Sequence, residues 1–369
     1  MAQRPVWRSS MVLSTRLKQG AAATAAVLSV GLLLWAAVVL GGIRSPQDAV
    51  DFVKDIYRLV VPDPLRPYVW AAERLLLNPL LYAVIAAVFV FEWLRPANRQ
   101  QKLLSRGFVQ DVFWFVGDGI LWIGALAFVG EALRAFYDAY LSFLTIGSLL
   151  HAPQAVRIVI AILFIDFLDW GRHYLKHRVW WLWAFHAVHH SQTEMNLFTD
   201  FRVHVLERVI NNIFVFIPLF MFQVAMPTDY YIALGLGWYR MIYHANIRTS
   251  YGLLKYVMVT PQFHRVHHSR ESAHLDVNFG VTFTFWDRLF GTHWSDYDQY
   301  PQTGIEDGRF PFEQHAGNGS IIRNWLAQTS YPFVVLSSRV RAATQSRAAR
   351  IEATSEEVAS GEPISVSSI

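Results

Sequence analysis

Fourteen histidines stand in this chain, and eleven of them fall between positions 173 and 274. Three groups recur at helical spacing. His173 and His177 form an HxxxH, which sets two imidazoles on one helix face a turn apart. His186, His189 and His190 form an HxxHH, and His264, His267 and His268 repeat it. Eight imidazoles in apolar surroundings are costly to bury unpaired, whereas a neutral imidazole nitrogen is a good ligand for iron, copper or zinc. Eight ligands also exceed what one ion holds while keeping a place for a reactant, so two ions are implied. His244, closing an apolar run in Tyr243-His244-Ala245-Asn246, is the ninth candidate. His204, with Glu207 one turn on, and His274 read either as further ligands or as supports for them. His151, His293 and His315 read as packing or surface residues.

Other metal chemistries lack their residues. The sole ExxH is Glu271 to His274, whereas carboxylate-bridged di-iron bundles need two such motifs and two more glutamates. There is no HExxH, so a zinc protease lacks its general base. With no cysteine, disulfides, thiolate-bound clusters and thiol nucleophiles are excluded. Asp166 and Asp169 precede His173 on a largely apolar helix, where an acid is expensive. They read as orienting a ligand histidine through its second nitrogen, or as plain helix-end acids.

The elements that carry these residues read as membrane helices. A hydrophobic fraction of 53% with 16% charged residues is too apolar for a soluble domain of 369 residues. The net charge of +4 is scattered beside apolar runs, which orients a protein in a bilayer and argues against nucleic acid as a partner. Candidate spans lie at 22–42, 74–92, 112–131 and 154–170, and the runs 209–226 and 229–243 form a hairpin turning at Pro227, Thr228 and Asp229. Basic segments alternate: Arg4, Arg8, Arg16 and Lys18, then Arg95 to Arg106, then Arg172, Lys176 and Arg178. These are the cytoplasmic segments, so all three histidine groups meet on the cytoplasmic side. The expected fold is all-α, a polytopic transmembrane helical bundle with a cytosolic histidine-rich cap that binds metal. Residues 1–70 hold the first span, 71–300 the histidine-bearing membrane domain, 301–337 a cytosolic extension and 338–369 a disordered tail.

These residues resemble the sterol desaturase and fatty acid hydroxylase superfamily over roughly residues 80–295. The marks are His173 with His177, the HxxHH at 186–190 followed by Ser191, Asn196 and Thr199, then Arg202, His204 and Glu207, and His244 with Asn246. The last block is the most specific: Thr260, Pro261, His264 to Ser269, Asp276, Asn278, Gly280, and Trp286 to Thr292. Tyr174 and Val205 stand where many relatives have Arg and Pro, and neither is a candidate ligand. The resemblance implies two iron ions with dioxygen as co-substrate, hydroxylating or desaturating a lipid. Asn246, Asp276 and Asn278 join the residues that could ligate or support the ligands. The chain carries no HPGG haem signature and no dinucleotide fingerprint, so electrons are expected from a separate donor protein of cytochrome b5, ferredoxin or reductase type. The protein's part is ligands, orientation and a dry substrate channel. Trp180, Trp181, Trp183 and Phe185 suit the headgroup boundary, either as the lipid's entry or as an anchoring aromatic belt. The non-enzymatic alternative is a membrane metal-binding protein or a zinc or copper transporter. It needs ligands at mid-membrane depth, and most of these histidines lie beyond the ends of the apolar runs.

Overall fold

The computed structural model describes residues 79–149, 151–223, 228–314 and 320–360. Among them no strand forms, only isolated bridges such as Met258 with Phe283 and Ser269 with Thr303. Helix α1 is Pro79–Leu94 and α2 is Arg106–Phe136, the latter capped by Ser105, which accepts the Phe108 N–H. Helices α3, Gln154–Arg178, and α4, Trp180–His190, are separated only by Val179, whose extended backbone turns the chain between the first two histidine groups. After a capped single turn at Leu197–Phe201 come α5, Val205–Met221, and α6, Thr228–His244. Thr260 caps the short α7, Pro261–His267, with Pro261 at its first position, where a missing N–H costs nothing. Helix α8 is Phe285–Phe290 and α9 is Ile321–Ser360.

Spacing on α4 explains its place. Ala184, Ala187 and Val188 share one face and pack with Phe310, Tyr331 and Val335, while His186, His189 and His190 take the opposite face. The small alanines let α9 come close. A second core joins α1, α2 and α6 through Leu81, Val88, Phe108, Leu197 and Met241. A third joins α3 to α5 through Ala161, Ile165 and Leu219.

Several expectations meet a different outcome. Among the described residues no helix is long and apolar enough to cross a membrane. Helices α1, α5 and α6 have 16, 17 and 17 residues, against about 20 for a full span. Helix α3 reaches 25 residues, yet its C-terminal part carries Asp166, Asp169, Arg172 and the first histidines. The span expected at 22–42 lies outside the described residues. Thr228 and Asp229, expected at the hairpin break, already open α6. The tail expected to lack structure is helical as far as Ser360. Its Ala, Arg, Gln and Glu are strong helix formers. From the extension expected at 301–337, Phe310, Tyr331 and Val335 join the core with α2 and α4.

Candidate metal centre

All nine candidate histidines converge into two groups. His173, His177, His186, His190 and His267 form one, and His189, His244, His264 and His268 the other; within each, the donor atoms lie within 4.8 Å of one another. The two HxxHH motifs are divided reciprocally. Helix α4 gives His186 and His190 to the first group and His189 to the second, while α7 and its cap give His264 and His268 to the second and His267 to the first. Where the groups adjoin, the rings of His190 and His268 stack with centroids 4.2 Å apart.

On four of the nine rings the outward nitrogen is fixed by an acceptor. His173 Nδ1–H donates to the Phe279 carbonyl (2.9 Å), His267 Nδ1–H to that of Val277 (2.8 Å) and His244 Nδ1–H to that of Arg240 (2.7 Å). A carbonyl only accepts, so each of these rings carries its proton on Nδ1 and turns a bare Nε2 inward. His186 Nδ1 lies 2.8 Å from Glu207 Oε1, and His177 Nδ1 lies 3.7 Å from Asp276. The inward atoms crowd together. His244 Nε2 is 2.8 Å from His264 Nε2 and 3.2 Å from His189 Nε2, and His267 Nε2 is 3.1 Å from His190 Nε2. The buried Nε2 atoms of His173, His177 and His186 have no hydrogen-bond partner. Lone pairs facing at such distances repel unless a cation lies among them, and cis donors about 2.1 Å from one ion stand about 3.0 Å apart. Burial is the largest cause holding His173, His186, His189, His190, His264, His267 and His268 well below the ordinary histidine value. The rings are therefore neutral and ready to ligate. The residues present fit a pair of metal ions.

The remaining candidates do other work. His204 caps α5: its Nδ1 accepts the Leu206 N–H, so its Nε2–H donates to the Thr329 carbonyl, and both nitrogens are spent on the protein. His274 is hydrogen-bonded to Ser269 and Gln299, away from both groups. Asp166 accepts from the Thr282 and Phe283 N–H groups and from Trp286 Nε1, and Asp169 pairs with Arg172 at 2.7 Å. Neither acid orients a ligand histidine. Four and seven residues separate them from His173, about 6 and 10 Å along the helix axis, and the Phe279 carbonyl already occupies that ring's second nitrogen. Asp276 pairs with Arg178 at 3.1 Å beside His177. Asn278 ties the Phe263 carbonyl to the Trp294 N–H, and Asn246 accepts from the Asn98 N–H and Arg265.

The sequence reading marked Arg202, Asn196, Thr199 and Asp287 without giving them a task, and passed over Asp111, Gln192 and Glu313. Arg202, wholly buried, lies between Asp111 (2.6 Å) and Glu313 (2.7 Å). The other oxygen of Asp111 accepts from Gln192, Asn196 and Thr199, which fixes the chain just beyond the second histidine group. Glu313 also accepts from Gln328, which is held by Trp114 of α2. Asp287 accepts the Phe279 and Gly280 N–H groups and Trp170 Nε1, so it sets the loop whose carbonyl pins His173. The available signal was an isolated acid bordering an apolar run, as at Asp111, but nothing local names its partner.

A pocket of about 260 Å³ opens onto both groups, with His173, His186, His189, His244 and His264 among its lining residues. Its other walls carry Arg172, Lys176, Glu207 and Arg240, so the space before the imidazoles is charged.

Residues 158–292, which hold every one of these histidines, match the family model for fatty acid hydroxylase. Over these residues the chain carries the fatty acid hydroxylase domain of the sterol desaturase and fatty acid hydroxylase superfamily. It is an oxidoreductase. It is 24% identical to an ornithine lipid hydroxylase of Rhizobium tropici, over 83% of this chain and 84% of that protein. It is 35% identical to the human alkylglycerol monooxygenase over 36% of this chain, and 32% identical to the Xenopus tropicalis one over 35%, matches that take in 29% and 28% of those proteins. No solved structure matches the chain.

Proposed function

We propose that this protein is an integral membrane di-iron oxygenase that hydroxylates a lipid, drawing on dioxygen and on electrons from a separate donor protein. The observation that carries the reading is the convergence of nine buried imidazoles, several with bare Nε2 atoms pointing inward, into two groups that share helices. The all-nitrogen donor set suits a first-row transition ion, and hydroxylase and monooxygenase relatives favour iron with oxygen chemistry. Such a metal pair supplies activation of dioxygen for attack on an unactivated C–H bond. The stoichiometry is one oxygen atom entering the C–H bond, the other leaving as water with two electrons and two protons from the donor.

The chain's own residues hold and orient. Carbonyls and carboxylates fix the ring tautomers, Glu207 and Lys176 (2.6 Å) form a closed pair at the pocket wall, and the Arg202 network keeps α4 in register. Membrane insertion is supported by the apolar runs of the sequence and by exposed apolar side chains on α1 and α3, among them Leu80, Phe91, Leu94 and Val159. With the basic segments placed inside, the histidine groups face the cytoplasm.

The test is metal analysis of anaerobically purified protein, paired with mass spectrometry of lipid extracts from a deletion strain and its parent. The reading requires iron approaching two per chain and a lipid that lacks one oxygen in the deletion strain. Desaturation instead would appear as a gain of two hydrogens there. Unchanged lipids, or a protein that binds only zinc under iron-replete anaerobic conditions, would refute it.

A further inference from the structure

The charges around the pocket are in excess of what an apolar substrate needs. Its walls carry four cations, Arg172, Lys176, Arg208 and Arg240, against three carboxylates, Asp169, Asp200 and Glu207. Lys176 and Glu207 close on each other at 2.6 Å, with about a twentieth of either side chain exposed. Arg172 is different. Its Nη2 reaches Asp169 at 2.7 Å, but its Nε and Nη1 are buried with no acceptor. Arg240, across the pocket on α6, stands 3.7 Å from Asp200, too far for a hydrogen bond. Two guanidinium groups from separate helices, one with unsatisfied N–H donors, make a receptor for a carboxylate or phosphate.

The depth of these residues names the ligand's carrier. Arg172 follows the apolar run 154–170 by two residues, Asn211 and Asn212 sit at the start of the run 209–226, and Arg240 lies near the end of 229–243. All line this one pocket, at the level where apolar helix gives way to polar surface. A lipid whose chains lie among the helices brings its headgroup to that level.

Resting on the oxygenase reading above, we infer that the pocket holds the anionic group of a lipid headgroup on Arg172 and Arg240, and that the oxygen atom enters a C–H bond in the headgroup or within a few bonds of it. Arg172 directly precedes the ligand candidate His173, so the anchor and the first histidine group are neighbours. A C–H bond far down an acyl chain would place the anion well outside this pocket.

The test uses full-length protein in mixed micelles with three lipids of matched chains: an ornithine lipid, which bears a free carboxylate, a phosphatidylethanolamine, and an uncharged alkylglycerol. Binding to the metal-free protein is followed by tryptophan fluorescence. Oxygen-18 incorporation by the iron-loaded protein is located by fragmentation mass spectrometry. Expected are binding of both lipids that bear an anionic group, weakened about tenfold by Arg172→Gln and largely restored by Arg172→Lys, with less than about a twofold change for the alkylglycerol on the same scale. The label belongs in the headgroup fragment or the first carbons beyond it. Equal weakening of the anion-bearing and uncharged lipids, no weakening, or label deep in an acyl chain overturns the inference. If no lipid takes up label while the charge-dependent binding persists, the oxygenase reading fails and the headgroup site stands.

Discussion

Glu207 offers the sharpest check on how the first histidine group is held. Its Oε1 receives both His186 Nδ1 (2.8 Å) and Lys176 Nζ (2.6 Å), and its side chain is 5% exposed. Glu207→Gln keeps the shape and an acceptor oxygen but removes the charge that raises the basicity of the ring. Losing such a partner weakens metal binding about 10–100-fold, or about 1.4–2.7 kcal/mol. Glu207→Ala is harsher. Only Asn211 Oδ1, at 2.9 Å, would still face the Lys176 ammonium, and a buried charge robbed of its partner costs about 3–5 kcal/mol. The assay titrates ferrous ion anaerobically into metal-free protein, with thermal unfolding measured in parallel. The Gln variant, which keeps an acceptor for the Lys176 ammonium, should lose less stability than the Ala variant while binding iron more weakly, and the Ala variant should lose the more stability before any metal is added. Wild-type iron affinity in the Gln variant would show that the carboxylate does not tune His186.

Three further outcomes follow from the geometry. His189→Ala and His267→Ala, each taking one donor from a different group, should abolish product formation with membrane insertion intact; turnover at wild-type rate in either would remove that ligand from the centre. Arg202→Met leaves Asp111 and Glu313 buried and unpaired, a cost of about 3–5 kcal/mol. A matching drop in the denaturation midpoint should be partly recovered by adding Asp111→Asn and Glu313→Gln, and equal midpoints with and without those two changes would contradict the ion-pair account. Gly280→Ala would set a Cβ 2.6 Å from the Phe283 carbonyl and 2.9 Å from Asp287. The overpacking, about 1–3 kcal/mol, should displace the Phe279 carbonyl from His173, seen as weaker iron binding as well as a lower melting temperature.

How much of this was legible depends on the range over which each residue acts. Ligand histidines announce themselves because their partner is an ion that several rings must reach, which forces i, i+3 and i+4 spacing within each helix. Asp111 and Glu313 meet only through Arg202, and no local pattern connects positions 202 residues of chain apart. Asp166 and Asp169 illustrate the opposite error. Sharing a helix with His173 suggested a joint task, but the acids are spent on the 282–286 loop and on Arg172. His204 had the right residue type in the right company, and its position at a helix start decided its use. The polar end of α9 was hidden for another reason: composition reports whether a segment can build a core, and a helix of good formers needs none to be written into the backbone.

The reciprocal split of the two HxxHH motifs would couple two ions mechanically, were each histidine group to hold one. Because α4 and α7 each reach into both groups, neither group is a cage of its own. A twist or slip of either segment would detune both groups in concert, and a chain carrying a single ion would leave both segments gripped from one side only.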